Sequence, residues 1–143
     1  MPICEKRKIA FCHIPRTGGV SISNALGLKV MDKHYPVSFY REMFPDYKVF
    51  TILRPYEDRV KSAFGWIVPE RRKEFISLDE LTSSILQLGM DNLGLMLKPN
   101  EYFLDKPVDF TLRFGHLQRD LDSMLRSIGH ESVQLEKCNT FRK

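Results

Sequence analysis

Residues 8–21 run from a short apolar segment, Ile9-Ala10-Phe11-Cys12, through His13-Ile14-Pro15-Arg16-Thr17-Gly18-Gly19 into Val20-Ser21 and a helix-forming stretch. Such a segment constrains the fold more than any other part of the chain. Four apolar residues in a row, with no polar alternation, suit a strand buried on both faces. Pro15 ends that strand, and the glycine pair lets the backbone turn sharply and approach a ligand closely. The helix opening at Val20-Ser21 would direct its unpaired N–H groups and the positive end of its dipole back at the loop. Arg16 adds a fixed cation with a planar fork of donors. Strand, glycine loop and helix start together predict a cradle for a phosphate-like anion.

The loop is not a Walker A sequence, which needs G-x-x-x-x-G-K-[ST]. Here the basic residue precedes the glycines. A second apolar run, Lys48–Leu53, ends in Arg54. A nucleoside triphosphatase would be expected to carry a magnesium-binding Asp near this place. An arginine instead gathers a second anion and repels a metal, so the expectation is two anionic groups and no metal ion. Pro55 then suits the first position of a helix, Glu57 and Asp58 its first turn, and Val60, Phe64 and Ile67 recur on one face. Ser62 follows Arg54 by eight residues, and the two converge only if that helix folds back on the strand tip.

The two segments, FCHIPRTGGVSIS and FTILRPYEDRVKSAF, resemble the cofactor-binding motifs of the sulfotransferases that use 3′-phosphoadenosine 5′-phosphosulfate (PAPS), and most nearly the carbohydrate branch acting on heparan- and chondroitin-type sugars. The family's first motif reads approximately H-I-P-K-T-G-G-T-S and its second R-D-P-x-x-R-x-x-S. By position, the resemblance implies that Arg16, Thr17, Gly18, Gly19, Val20 and Ser21 hold the phosphosulfate, and that Arg54 and Ser62 hold the 3′-phosphate. Arg16 stands where the motif has lysine, Val20 where it has threonine, and Pro55-Tyr56 where it has Asp-Pro. Residues 98–103 and 108–129 are similar to later family segments, with Gly115-His116 in place of Glu-Asn.

The resemblance further implies sulfuryl transfer to a hydroxyl of a carbohydrate or small molecule. Arg16 and the loop N–H groups would relieve charge on the departing phosphate. A base near the donor is also needed. His34, in Met31-Asp32-Lys33-His34, sits between the two motifs as a catalytic histidine does in several carbohydrate sulfotransferases, and is the first choice. His13 competes, although its place inside the first motif suits it to shaping the loop. Two readings stay beside this one: a P-loop-type nucleotide or small-molecule kinase, and a non-catalytic module that binds the desulfated product, PAP.

At 143 residues the chain suits a single domain spanning 1–143, burying roughly two-thirds of its unfolded surface. A net charge of +4 favours an anionic ligand. The basic residues are dispersed and no nucleic-acid-binding motif accompanies them, so nucleic acid is not expected. The N-terminus shows no signal-peptide pattern, and no apolar run is long enough to span a membrane. Cys4, Cys12 and Cys138 are an odd, scattered set, as in free thiols, so the expected setting is cytoplasmic. The residues do not set an oligomeric state.

Strands are expected near 8–13, 28–31, 48–53 and 109–113, and helices near 20–26, 37–44, 56–67, 78–89 and 117–128. Ser77 reads as an N-cap, and Gly129 suits the last helix's end. Residues 91–108, with Pro99 and Pro107, are expected to be irregular and to line an acceptor cleft. The order implies a single-domain, P-loop-like three-layer α/β fold, a small parallel sheet with helices on both faces and ligand at the strands' C-terminal edge.

Overall fold

Ile3–Cys4 (β1), Ile9–Cys12 (β2), Lys48–Leu53 (β3) and Phe110–Arg113 (β4) form one sheet, in that order, in the computed structural model, which describes residues 2–28, 34–67, 77–80, 83 and 93–136. β2, β3 and β4 are parallel, with Phe11 beside Phe50 and Phe50 beside Phe110. The Phe11 and Phe50 rings stack at 4.7 Å with a 2° tilt. β1 departs from the expected all-parallel sheet. It pairs antiparallel with β2, Ile3 opposite Ala10 and Cys4 opposite Ile9. Only the four residues 5–8 separate them, too few for a parallel crossover. The fold is therefore mixed α/β.

Side chains alternate across the sheet as the period of two requires. Ile9, Phe11, Phe50, Ile52 and Leu112 face one core with Ile22 and Leu26 of helix α1 (Gly19–Leu26) and Leu121, Met124 and Leu125 of helix α6 (Leu117–Ser127). Ala10, Cys12 and Val49 face the other, with Val37 and Tyr40 of helix α2 (Val37–Met43) and Phe103 of helix α5 (Asn100–Phe103). Fully buried aromatic and branched side chains contribute about 1.5–3 kcal/mol each, so these two layers supply most of the hydrophobic stabilisation. A third cluster joins Val60, Ala63 and Phe64 of helix α3 (Tyr56–Ile67) to Met96 of helix α4 (Leu93–Met96).

The ends follow their expected chemistry. Glu57 and Asp58 occupy the first turn of α3, and Lys61 pairs with Glu57 at 2.9 Å. Gly129 takes φ 79° just past α6, and His130 N–H returns to Leu125 O at 2.8 Å, a Schellman-type close. Ser77 Oγ accepts from Glu80 N–H at 3.2 Å, and 78–80 are helical. Of the expected strand at 28–31, Leu28 is not in a strand, while 29–31 and the remainder of the 78–89 helix, apart from residue 83, lie outside the described residues. Residues 93–108, expected to be irregular, hold the one-turn helices α4 and α5. Their stability is tertiary: Tyr56 Oη donates to Leu97 O, and Arg59 reaches three carbonyls and an amide there and in the glycine loop.

Because β2, β3 and β4 run the same way, His13, Arg54 and Phe114 leave the sheet at one edge. Phe114 N–H donates to Leu53 O at 2.9 Å, which holds the third connection against the second. Among the described residues no helix is long and apolar enough to cross a membrane.

Candidate anion site

The loop between β2 and α1 is held from three sides. Inside it, the fully buried Thr17 donates its hydroxyl to Ile14 O at 2.8 Å. From α3, Arg59 Nε donates to Pro15 O at 2.9 Å. From the tip of β3, Arg54 Nη1 donates to Arg16 O at 3.1 Å. Arg16 itself has φ 61°, a left-handed conformation that costs a non-glycine residue about 1–2 kcal/mol. Two successive carbonyls gripped by guanidinium groups help to keep it there.

Both glycines are required, for different reasons. Gly18 has φ 86°, which favours glycine, and it caps α1 with no side-chain hydrogen bond. The first N–H groups of α1 thus have no side-chain cap, as an anion cradle needs. Gly19 is required for space. A β-carbon there would lie 2.2 Å from Nε2 of His13, whose ring stacks on Phe11 at 4.9 Å. Enclosure, then the neighbouring His34 and Arg16, pushes the His13 pKa down to about 3. His13 is neutral and shapes the loop.

Arg16 meets both Ser62 and Arg54, 46 and 38 positions away in sequence. Arg16 Nε donates to Ser62 Oγ at 3.1 Å. Ser62 lies on the second turn of α3, so the helix does fold back over the loop. Partial burial lowers the pKa of both arginines; Arg54 lowers that of Arg16 further, and Asp58 acts in the opposite direction on Arg54. Guanidinium groups stay protonated in proteins, so two like charges are held side by side. Arg54 Nε is buried with no hydrogen-bond partner among the described residues. Among them, the ion pairs are Arg41–Asp109, Lys61–Glu57 and Arg113–Asp120, none of which neutralises Arg54.

The Arg54 guanidinium lies over the Phe114 ring at 3.9 Å, and Phe114 also borders Gly18. Phe114 remains 41% exposed, so part of the ring still faces solvent. Its role follows from the β4–α6 connection and not from local sequence; the Arg113-Phe114 pair in the later family-like segment was its only signal. Val20 and Ser21 fall on the first turn of α1, both half-buried.

His34 stands beside the loop. Its Nδ1 lies 2.7 Å from His13 O, and its ring meets the His13 ring edge-on at 4.9 Å. A carbonyl only accepts, so Nδ1 carries the proton, and in the neutral ring the lone pair is on Nε2. That tautomer suits a base.

No family model, curated protein or solved structure matches the chain at a significant level.

Proposed function

We propose that the protein is a PAPS-dependent sulfotransferase acting on a hydroxyl of a carbohydrate or small molecule. The observation that carries this reading is the meeting of the two motif segments. Arg16 of the first reaches Ser62 of the second, and Arg54 of the second holds the backbone of the first while keeping a buried, unpartnered Nε. A ligand with two anionic ends fits two neighbouring guanidinium groups.

The residues fit the group in kind: an uncapped helix start, left-handed Gly18 and two arginines suit phosphate or sulfate oxygens. Arg16 and the N–H groups of Gly19, Val20 and Ser21 would hold the phosphosulfate, and Arg54 with Ser62 the 3′-phosphate. Thr17 contributes by bracing the loop through Ile14. When bound, PAPS supplies a sulfuryl group that passes to the acceptor oxygen as its bond to phosphate breaks. His34 Nε2 takes the acceptor's proton, with Nδ1–H anchored on His13 O. Arg16 stabilises the charge left on the phosphate. A P-loop-like relationship of the fold and a cytoplasmic, reducing setting belong to the same reading. The latter is supported by the free thiols of Cys4 and Cys12.

A transfer assay with labelled PAPS against sugars, phenols and peptides tests the proposal. Label should move to at least one hydroxyl acceptor without added metal, and His34→Ala should abolish transfer while sparing PAP binding. Tight PAP binding with no transfer to any acceptor would favour the non-catalytic module. A strict magnesium requirement would favour a kinase.

A further inference from the structure

Arg59 is the largest fully buried side chain among the described residues. An arginine has five N–H donors and no acceptor, so its burial calls for many oxygen partners. Arg59 Nε donates to Pro15 O at 2.9 Å, Nη1 to Lys98 O at 3.0 Å and Asn100 Oδ1 at 2.7 Å, and Nη2 to Met96 O at 3.5 Å. The Tyr56 and Phe103 rings lie 5.7 Å from its guanidinium carbon. Every one of these partners is uncharged, and no ion pair among the described residues includes Arg59. Burial lowers its pKa to about 10, Arg54 acts in the same direction, and Tyr56 and the exposed Glu101 act against it, so it remains a cation at neutral pH.

Packing alone does not account for such a group. A buried charge with no carboxylate among its hydrogen-bond partners is costly, and an apolar or neutral side chain would be cheaper as a structural tie. Its partners supply the reason. Pro15 O immediately precedes Arg16, the residue in the left-handed conformation. Asn100, which accepts from Arg59, donates its own Nδ2–H to Arg54 O at 3.2 Å. One network therefore holds the backbone on either side of the anion pocket, next to both arginines that form it.

We propose that Arg59 and Asn100 are positioning residues of the anion site: they fix the backbone at Arg16 and Arg54, and Arg59 adds a buried positive charge whose counter-charge is the bound anion. Asn100 suits this role where aspartate would not. Its amide satisfies Arg59 and Arg54 O together and places no negative charge in contact with Arg59. The inference rests on Arg16, Arg54 and Ser62 forming an anion site, whichever anion that site takes.

The test is calorimetric titration of the full chain with PAP and, separately, with inorganic pyrophosphate, well below each variant's melting temperature. Asn100→Ala and Asn100→Asp are compared with the natural chain, beside ligand-free melting curves. Asn100→Asp should bind PAP about tenfold or more weakly than the natural chain, and more weakly than Asn100→Ala, because a carboxylate neutralises the field of Arg59. Its ligand-free melting temperature should not fall below that of Asn100→Ala. A purely structural tie makes affinity follow melting temperature, so an Asn100→Asp variant binding as well as Asn100→Ala overturns the proposal. Arg59→Lys, which keeps the charge but loses the fork, should bind more tightly than Arg59→Gln; equal affinity would count against the charge. Pyrophosphate bound in the same order with PAP not bound would support this inference and sink the nucleotide reading. A natural chain that binds neither anion overturns both.

Discussion

The His13 imidazole fills the space that a β-carbon on Gly19 would need, with Nε2 2.2 Å from that position. The histidine and the second glycine of the motif are thus one steric unit, although they are six positions apart. The glycine keeps the helix start close to the ring, and the ring, stacked on Phe11, closes the end of β2.

Gly19→Ala should destabilise the fold by about 1–3 kcal/mol, the usual cost of forcing extra volume into a packed site. Adding His13→Ala should recover part of that loss, because it removes the atoms in conflict. Thermal or urea unfolding of the two single variants and the double variant gives the coupling. Strict additivity would show that the ring is not what excludes the methyl group.

His13 also sets a pH dependence. Its folded pKa is pushed down to about 3 from the ordinary histidine value of 6.5, chiefly by burial. The unfolded chain therefore binds the proton more readily than the folded one. The stability from keeping His13 neutral is full above about pH 6.5 and is lost as pH falls toward 3, by up to about 1.4 kcal/mol per pH unit. His13→Gln should flatten that part of the urea-midpoint profile. An unchanged slope would assign acid sensitivity to other groups.

Phe114 holds the face of Arg54 at 3.9 Å while being 41% exposed. Phe114→Ala should weaken anion binding about two- to fivefold, the scale of an exposed cation–π contact, and barely move the melting temperature. Calorimetry beside a melting curve checks both halves. A large thermal loss would make Phe114 a packing residue.

What the residues revealed in advance depended on how local the cause was. β3 at 48–53 and α3 at 56–67 begin and end where the apolar run, Pro55 and the acidic first turn indicate. α6 ends at Gly129 for a local reason too. β1 has two residues, too few to show any period, and exists because it can pair with β2 across a short turn. α4 and α5 rest on hydrogen bonds from Tyr56 and Arg59, which no pattern within 93–103 discloses. In the site, Arg16, Gly18, Gly19, Arg54 and Ser62 could be picked out by type and order. The contact of Arg16 with Ser62, the roles of Arg59 and Asn100, and the cover from Phe114 come from tertiary approach. The His13–His34 contact likewise joins residues 21 positions apart.

The central claim is that Arg16, Arg54 and Ser62 form one grip on a ligand with two anionic ends. Calorimetric titration with PAP, in the absence of divalent metal, tests it most directly. The natural chain should bind PAP tightly, Arg54→Ala should lose at least about tenfold in affinity, as expected for a charge-assisted contact, and Ser62→Ala should lose less. PAP affinity unchanged by Arg54→Ala would contradict the assignment of the site.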